Sequence, residues 1–228
     1  MQTHILGFPR IGRNRELKKA LEGYWKGELS ENQLHETADE LKKRHWKFQH
    51  DAGLSFVTVG DFSLYDHVLD LTVALGAIPH RFQNAGSALD TYFAMARGDG
   101  NRNIPAMEMT KWFNTNYHYI VPELSADQSF KPSIEWLEND VIRVGQLGFR
   151  AKPVLLGPIT YLALSKGGTA CRNLRKSTSV FWNVLPRSAT GYKSTNRSCA
   201  RICREACGRH SERRTTSSVR GHLPPVHF

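Results

Sequence analysis

Over the first 168 residues, short apolar stretches that stop at glycine alternate with longer amphipathic ones, a rhythm that few folds can satisfy. Thr3–Leu6 reads as a short strand ahead of the loop Gly7-Phe8-Pro9-Arg10-Ile11-Gly12. Asn14–Lys26 reads as a helix despite Gly23. Ser30-Glu31-Asn32-Gln33 matches a capping box, in which Ser and Gln satisfy each other's free backbone donors. Behind it Leu34, Ala38, Leu41 and Phe48 follow a helical period up to Gly53. Leu54–Val59 then reads as a buried strand ending at Gly60-Asp61. Tyr65–Leu75, Ala88–Arg97 and Ile134–Leu147 are further helices, Trp112–Val121 contains a strand, and Pro153–Leu156 is a short strand before Gly157-Pro158. Strands alternating with helices predict parallel βα units, an α/β fold.

Bulk composition narrows the function classes. No apolar run approaches the roughly 20 residues of a spanning helix, so no membrane role is expected. The start, Met-Gln-Thr-His-Ile-Leu-Gly, lacks a basic region followed by an apolar one, which predicts no secretory signal and a cytoplasmic protein. Net charge of +10 would ordinarily point to nucleic acid or a membrane surface. The location of that charge changes the reading. From Thr169 onward there are 12 Lys and Arg against 2 Asp and Glu, whereas the first 168 residues hold 19 of each sign. The four cysteines (Cys171, Cys199, Cys203 and Cys207) also lie beyond residue 168, and a cysteine-free body fits a reducing compartment.

Three stretches of the body carry possible chemistry. Arg10, Arg13, Arg15, Lys18 and Lys19 cluster about a loop and a helix start, where free N–H groups also favour anions, opposed only by Glu16. Taken alone, the run reads first as a solvated helix face. Val59-Gly60-Asp61-Phe62, followed by Tyr65-Asp66-His67, puts an acid at the C-terminal end of a strand, where βα folds place their sites. Taken alone, Asp61 or Ser63 reads first as a helix N-cap. Glu108 through Tyr119 packs rings, two amides and Lys111 into twelve residues. Such a stretch can stack on a flat heterocycle and meet an anionic tail, or simply turn one strand face to the core.

These residues, in this order, resemble cobalamin-independent methionine synthase. The resemblance runs from Leu6-Gly7-Phe8-Pro9-Arg10-Ile11-Gly12 and Arg15-Glu16-Leu17-Lys18-Lys19-Ala20, through Val59-Gly60-Asp61-Phe62 with Tyr65-Asp66-His67-Val68, to Glu108–Tyr119 and Lys152-Pro153-Val154-Leu155-Leu156-Gly157-Pro158. It covers about residues 1–168 and implies a (βα)8 barrel of the TIM type, incomplete here because such a barrel needs about 250 residues. It further implies transfer of a methyl group from 5-methyltetrahydropteroyltri-L-glutamate to homocysteine, without cobalamin. Zinc activates the thiol in a second half whose ligands are not expected here. By the same resemblance Arg15, Glu16, Leu17, Lys18, Lys111 and Asn116 contact the folate or its glutamates, and Lys or Arg suits such a polyanion. The 228-residue chain alone is expected to be inactive as a methyltransferase.

The remainder, residues 169–228, forms a second unit in this reading. Its Ser, Thr, Arg and Cys follow no period, which predicts disorder. Where the family shows a leucine-rich helix and then a strand reading roughly W-V-Q-(V or I)-D-E-P, this chain has neither. One allowed coding of Ser188–Cys199, read from its third base, gives R-D-W-V-Q-V-D-E-P-V-L, so a slipped reading frame is expected. Cys199, Cys203 and Cys207 with His210 and His222 match no usual structural zinc spacing. The alternative function is a non-catalytic polyanion- or nucleic-acid-binding protein using this basic arm, with charge alone giving non-specific affinity.

Overall fold

The computed structural model describes residues 1–83, 86–125 and 128–167. The expectations for residues 169–228 (disorder, frame slip, the cysteine and histidine cluster, the nucleic-acid arm) lie outside the described residues. The elements are α1 (Glu16–Trp25), α2 (Glu31–Asp51), β1 (Val57–Val59), α3 (His67–Ala74), α4 (Ala88–Arg97), β2 (Met109–Lys111), β3 (His118–Ile120), α5 (Glu135–Gln146), β4 (Ala151–Pro153) and α6 (Pro158–Ala163), with a 3-10 turn at His80–Phe82.

β1 and β4 pair in parallel, Val57 opposite Ala151 and Val59 opposite Pro153, while β2 and β3 form an antiparallel hairpin. The fold is mixed α/β with small sheets. All three residues of β1 are buried, as expected for a strand covered on both faces. α2 and α5 are bound to each other by two ion pairs. Lys42 Nζ meets the buried Asp140 carboxylate at 3.1 Å, and Arg143 donates to both oxygens of Asp39 at 2.6 and 2.5 Å. One apolar cluster joins Val57, Val59, Leu71, Tyr119, Leu137 and Tyr161; a second joins Leu17, Leu34, Leu41, Phe82, Phe93 and Ile120.

Local chemistry sets the helix starts. The Ser30–Gln33 capping box is present in full, with Gln33 N donating to Ser30 Oγ at 3.3 Å and Ser30 N to Gln33 Oε1 at 2.8 Å. Ser30→Ala is expected to lower stability by about 1 kcal/mol, read from urea unfolding; an unchanged midpoint would mean the cap is idle. The buried positions of α2 are Leu34, Ala38, Leu41, His45, Trp46 and Gln49, whereas Phe48 is exposed. A step of seven residues drifts about 20° off a straight helix, so Leu41 to Phe48 leaves the core face that His45 and Gln49 keep.

Strand boundaries move more. Thr3–Leu6 is no regular strand but runs beside β1, held by Phe56 N to Thr3 O at 3.2 Å and by Thr58 Oγ1 to Ile5 O at 2.8 Å. A hydroxyl there replaces a ladder bond. The expected strand from Leu54 begins only at Val57, because Leu54 N still donates to Gln49 O at the end of α2. β4 ends at Pro153 instead of starting there: proline has no N–H to extend a ladder, and Val154 N makes the last bond to Val59 O at 2.9 Å. Within Trp112–Val121 only His118–Ile120 is strand. Gly60 (φ 86°) ends β1 where a Cβ would lie 2.6 Å from Val154 O, so the two strands can stay close only with glycine there.

Candidate functional site

A cleft of about 520 Å³ opens beyond the C-terminal ends of β1 and β4. Leu6–Arg10 supplies one side of it, through Leu6, Gly7, Phe8 and Arg10. Gly60, Asp61 and Ser63 follow β1 into it, and His67, Asp70 and Leu71 face it from α3. The hairpin turn adds Trp112, Thr115 and Tyr117, and Trp136 of α5 with Val154–Leu156 completes the lining. Two indoles, a phenol and aliphatic side chains make a surface suited to a flat organic group.

The cleft's polar groups are mostly committed. The Arg10 guanidinium donates to three carbonyls, Ser63 O at 3.0 Å, Leu64 O at 3.2 Å and Tyr65 O at 2.6 Å. Arg10 therefore holds the segment after β1 and is set apart from the cationic run to which the sequence assigned it. Asp61 Oδ2 accepts from Phe8 N at 2.7 Å, and burial raises its pKa to about 6. Burial raises Asp70 to about 7, with Tyr92 Oη donating to it at 2.7 Å. Neither Asp61 nor Ser63 caps a helix.

Asp66 is the cap, only 1% exposed, accepting from Val68 N at 3.2 Å and Leu69 N at 3.0 Å. It also accepts from Ile120 N of β3 at 3.0 Å, so one carboxylate joins α3 to the hairpin. Burial pushes the Asp66 carboxyl up and the neighbouring His67 imidazole down.

None of the six residues expected to contact ligand lines the cleft: Lys111 and Asn116 adjoin its lining residues on the hairpin, whereas Arg15, Glu16, Leu17 and Lys18 follow the Leu6–Arg10 lining at the start of α1. Arg15 is the left-handed N-cap of α1 (φ 61°) and is exposed. Glu16 bonds Asn14 N at 2.8 Å and Arg44 at 2.7 Å; its own backbone N–H and the Arg44 guanidinium hold its carboxyl below the usual range. Leu17 is fully buried, its N–H bonded to Ile11 O at 3.1 Å. Lys18 is half-exposed and lies 3.5 Å from Glu22. Lys111 closes β2 and Asn116 lies in the turn, both exposed. Asp70 and Trp136 were missed as cleft residues. Apolar helix periods carry them, and nothing local marks a residue as facing a cleft.

No group of three or more His, Cys, Asp or Glu side chains among the described residues is placed to hold a metal ion. The described residues thus do not fit a zinc site. No helix among them is long and apolar enough to cross a membrane.

The α/β domain has its aromatic-walled cleft beyond the C-terminal ends of its parallel strands, where βα folds place their ligand sites. The chain belongs to the cobalamin-independent methionine synthase family: residues 2–188 match the family described as "Cobalamin-independent synthase, N-terminal domain". A relative from Acidithiobacillus ferrooxidans is 57% identical over 166 residues, covering 72% of this chain and 21% of its own length. One from Nitrosomonas europaea is 56% identical over 166 residues, 72% of this chain and 22% of the relative. A third, from Nitratidesulfovibrio vulgaris, is 46% identical over 219 residues, 92% of this chain and 27% of the relative. All three are named 5-methyltetrahydropteroyltriglutamate–homocysteine methyltransferase. The chain spans roughly a fifth to a quarter of the length of these relatives.

Proposed function

We propose that the chain is the folate-side part of a methyltransferase that passes a methyl group from 5-methyltetrahydropteroyltri-L-glutamate to homocysteine, forming methionine. Its fold on this reading is the first portion of a (βα)8 barrel. The parallel β1–β4 pair, with helices around it and a cleft beyond its C-terminal ends, is the arrangement such barrels use. Homocysteine, and the zinc that activates its thiol, belong to protein beyond the described residues. A cysteine-free body suits the reducing cytoplasm as its place of work.

The observation that carries the proposal is that the free cations lie outside the cleft. The cleft itself presents Asp61 and Asp70, while its one cation, Arg10, is spent on backbone carbonyls. The cleft thus offers an anionic tail no free cationic donor, whereas the exposed Arg15, Lys18 and Lys111 outside it do, with Asn116 as a neutral hydrogen-bonding neighbour. Glu16 and Leu17 serve by fixing the turn: Glu16 through Arg44, Leu17 through the core.

Lys18→Ala and Lys111→Ala are each expected to weaken binding of 5-methyltetrahydropteroyltriglutamate about tenfold in a fluorescence titration. Unchanged affinity in both variants would overturn the assignment. A polypeptide of these 228 residues alone is expected not to restore growth to a methionine auxotroph; restored growth would contradict the reading of the chain as a part.

A further inference from the structure

The hairpin that carries Lys111 and Asn116 is poorly supported by its own strands. β2 and β3 have three residues each and, among the described residues, pair only with each other. The base is well tied: Ile120 N donates to Asp66 Oδ2 at 3.0 Å, and Tyr119 Oη donates to Leu164 O at 3.2 Å. The turn between them packs on the core through the Trp112 ring but, among the described residues, makes no backbone bond to the rest of the chain. Its bonds are internal, Trp112 N to Tyr117 O at 2.7 Å, Thr115 N to Trp112 O at 3.1 Å and Tyr117 N to Thr115 Oγ1 at 3.2 Å. Phe113 sits at φ 47°, a left-handed conformation unfavourable for a bulky side chain, and the residue is 66% exposed.

Among the described residues, the hydrogen bonds from this turn to the rest of the chain all pass through one atom, Tyr117 Oη. It lies 3.4 Å from Asp66 Oδ1 and 3.3 Å from His67 Nδ1, and those two atoms are 3.7 Å apart. The triangle has the protons it needs: the phenol donates to the carboxylate, and a neutral imidazole protonated at Nδ1 donates to the phenol oxygen. The His67 ring also stacks on Tyr117 at 5.5 Å between centroids and meets the edge of Trp112 at 4.7 Å. Asp66 is in turn immobilised by the α3 N–H groups it caps.

We propose that the Asp66–His67–Tyr117 contact is a latch that fixes the β2–β3 turn at the cleft mouth, making Tyr117 a positioning residue for Lys111 and Asn116. The phenol acts through the turn, so it need not touch the ligand's anionic tail. The role as positioner rests on the binding function proposed above; the latch itself does not.

Tyr117→Phe removes the hydroxyl and keeps the ring stack. In the ligand-free 228-residue chain, hydrogen exchange at the Trp112, Thr115 and Tyr117 amides is expected to quicken about tenfold, with the amides of α3 unchanged. Unaltered exchange in the turn would overturn the latch. Positioning is read from a double-mutant cycle with 5-methyltetrahydropteroyltriglutamate as the probe. Lys111→Ala should cost about tenfold in affinity in the unmodified chain and under about threefold once Tyr117 is Phe. An equal cost in both backgrounds would refute positioning, since a merely structural tyrosine leaves the lysine's contribution intact. Failure of the unmodified chain to bind the probe would count against the binding function, and the exchange result would then decide the latch by itself.

Discussion

Asp66→Ala is expected to be among the most damaging single substitutions in the domain, lowering unfolding stability by about 3–5 kcal/mol. The carboxylate is 1% exposed and accepts three backbone N–H bonds, two from the first turn of α3 and one from β3. Alanine leaves all three donors without a partner in a place that water reaches poorly. Each such orphan costs more than the bond itself contributes when made. The loss also separates two elements: α3 loses its cap and the hairpin its anchor. Asp66→Asn, which keeps one acceptor oxygen, should lie between the two. A loss under about 1 kcal/mol for alanine in urea unfolding would show that the Asp66 contacts are not what joins these elements.

The second large effect concerns pH. Burial raises Asp70 to about 7 and Asp61 to about 6, from an ordinary carboxyl value of 3.8. A carboxyl whose pKa is raised by folding binds its proton more tightly in the folded state. Its contribution is therefore complete below the unfolded pKa and is lost as pH rises through the folded one. For these two groups the loss falls between about pH 4 and pH 8, so the chain should gain stability on mild acidification from pH 8. His67 and His45, both lowered by burial, work in the opposite sense below their ordinary value of 6.5, and the gain should flatten there. Asp70→Asn removes the larger cause while keeping an oxygen to accept from Tyr92. It is expected to stabilise the chain at pH 8 by about 2 kcal/mol and to reduce the slope between pH 8 and 6.5. A loss of stability at pH 8 in this variant would mean that the ionised carboxylate is held by partners stronger than the Tyr92 hydroxyl.

Local rules carried the helices well and the strands poorly. The Ser30–Gln33 box depends on residues three apart, so the sequence alone determines it. β1 and β4 are defined by a pairing between residues some ninety positions apart, and their ends depend on where that partner stops. Hence Leu54, past the end of α2, still bonds back to that helix, and Pro153 ends a strand it was expected to begin.

The site divides in the same way. Family motifs pointed to both segments that wall the cleft. Charge type did not reveal that Arg10 would clamp three carbonyls while Lys18 and Lys111 stayed exposed. Nor did Asp66 or Asp70 look unlike any other acid near a helix start, because burial, which sets their chemistry, belongs to the packed chain.

The central claim is that anionic groups of the ligand are held outside the cleft by the α1 start and the hairpin. Calorimetric titration of the chain with the monoglutamate and triglutamate forms of 5-methyltetrahydropteroylglutamate, at low and high salt, tests it most directly. Tighter binding of the triglutamate at low salt, with an advantage that shrinks at high salt and disappears when Lys18 and Lys111 are both alanine, is the expected result. Equal affinity for the two forms, or a triglutamate advantage that survives loss of both lysines, would contradict it.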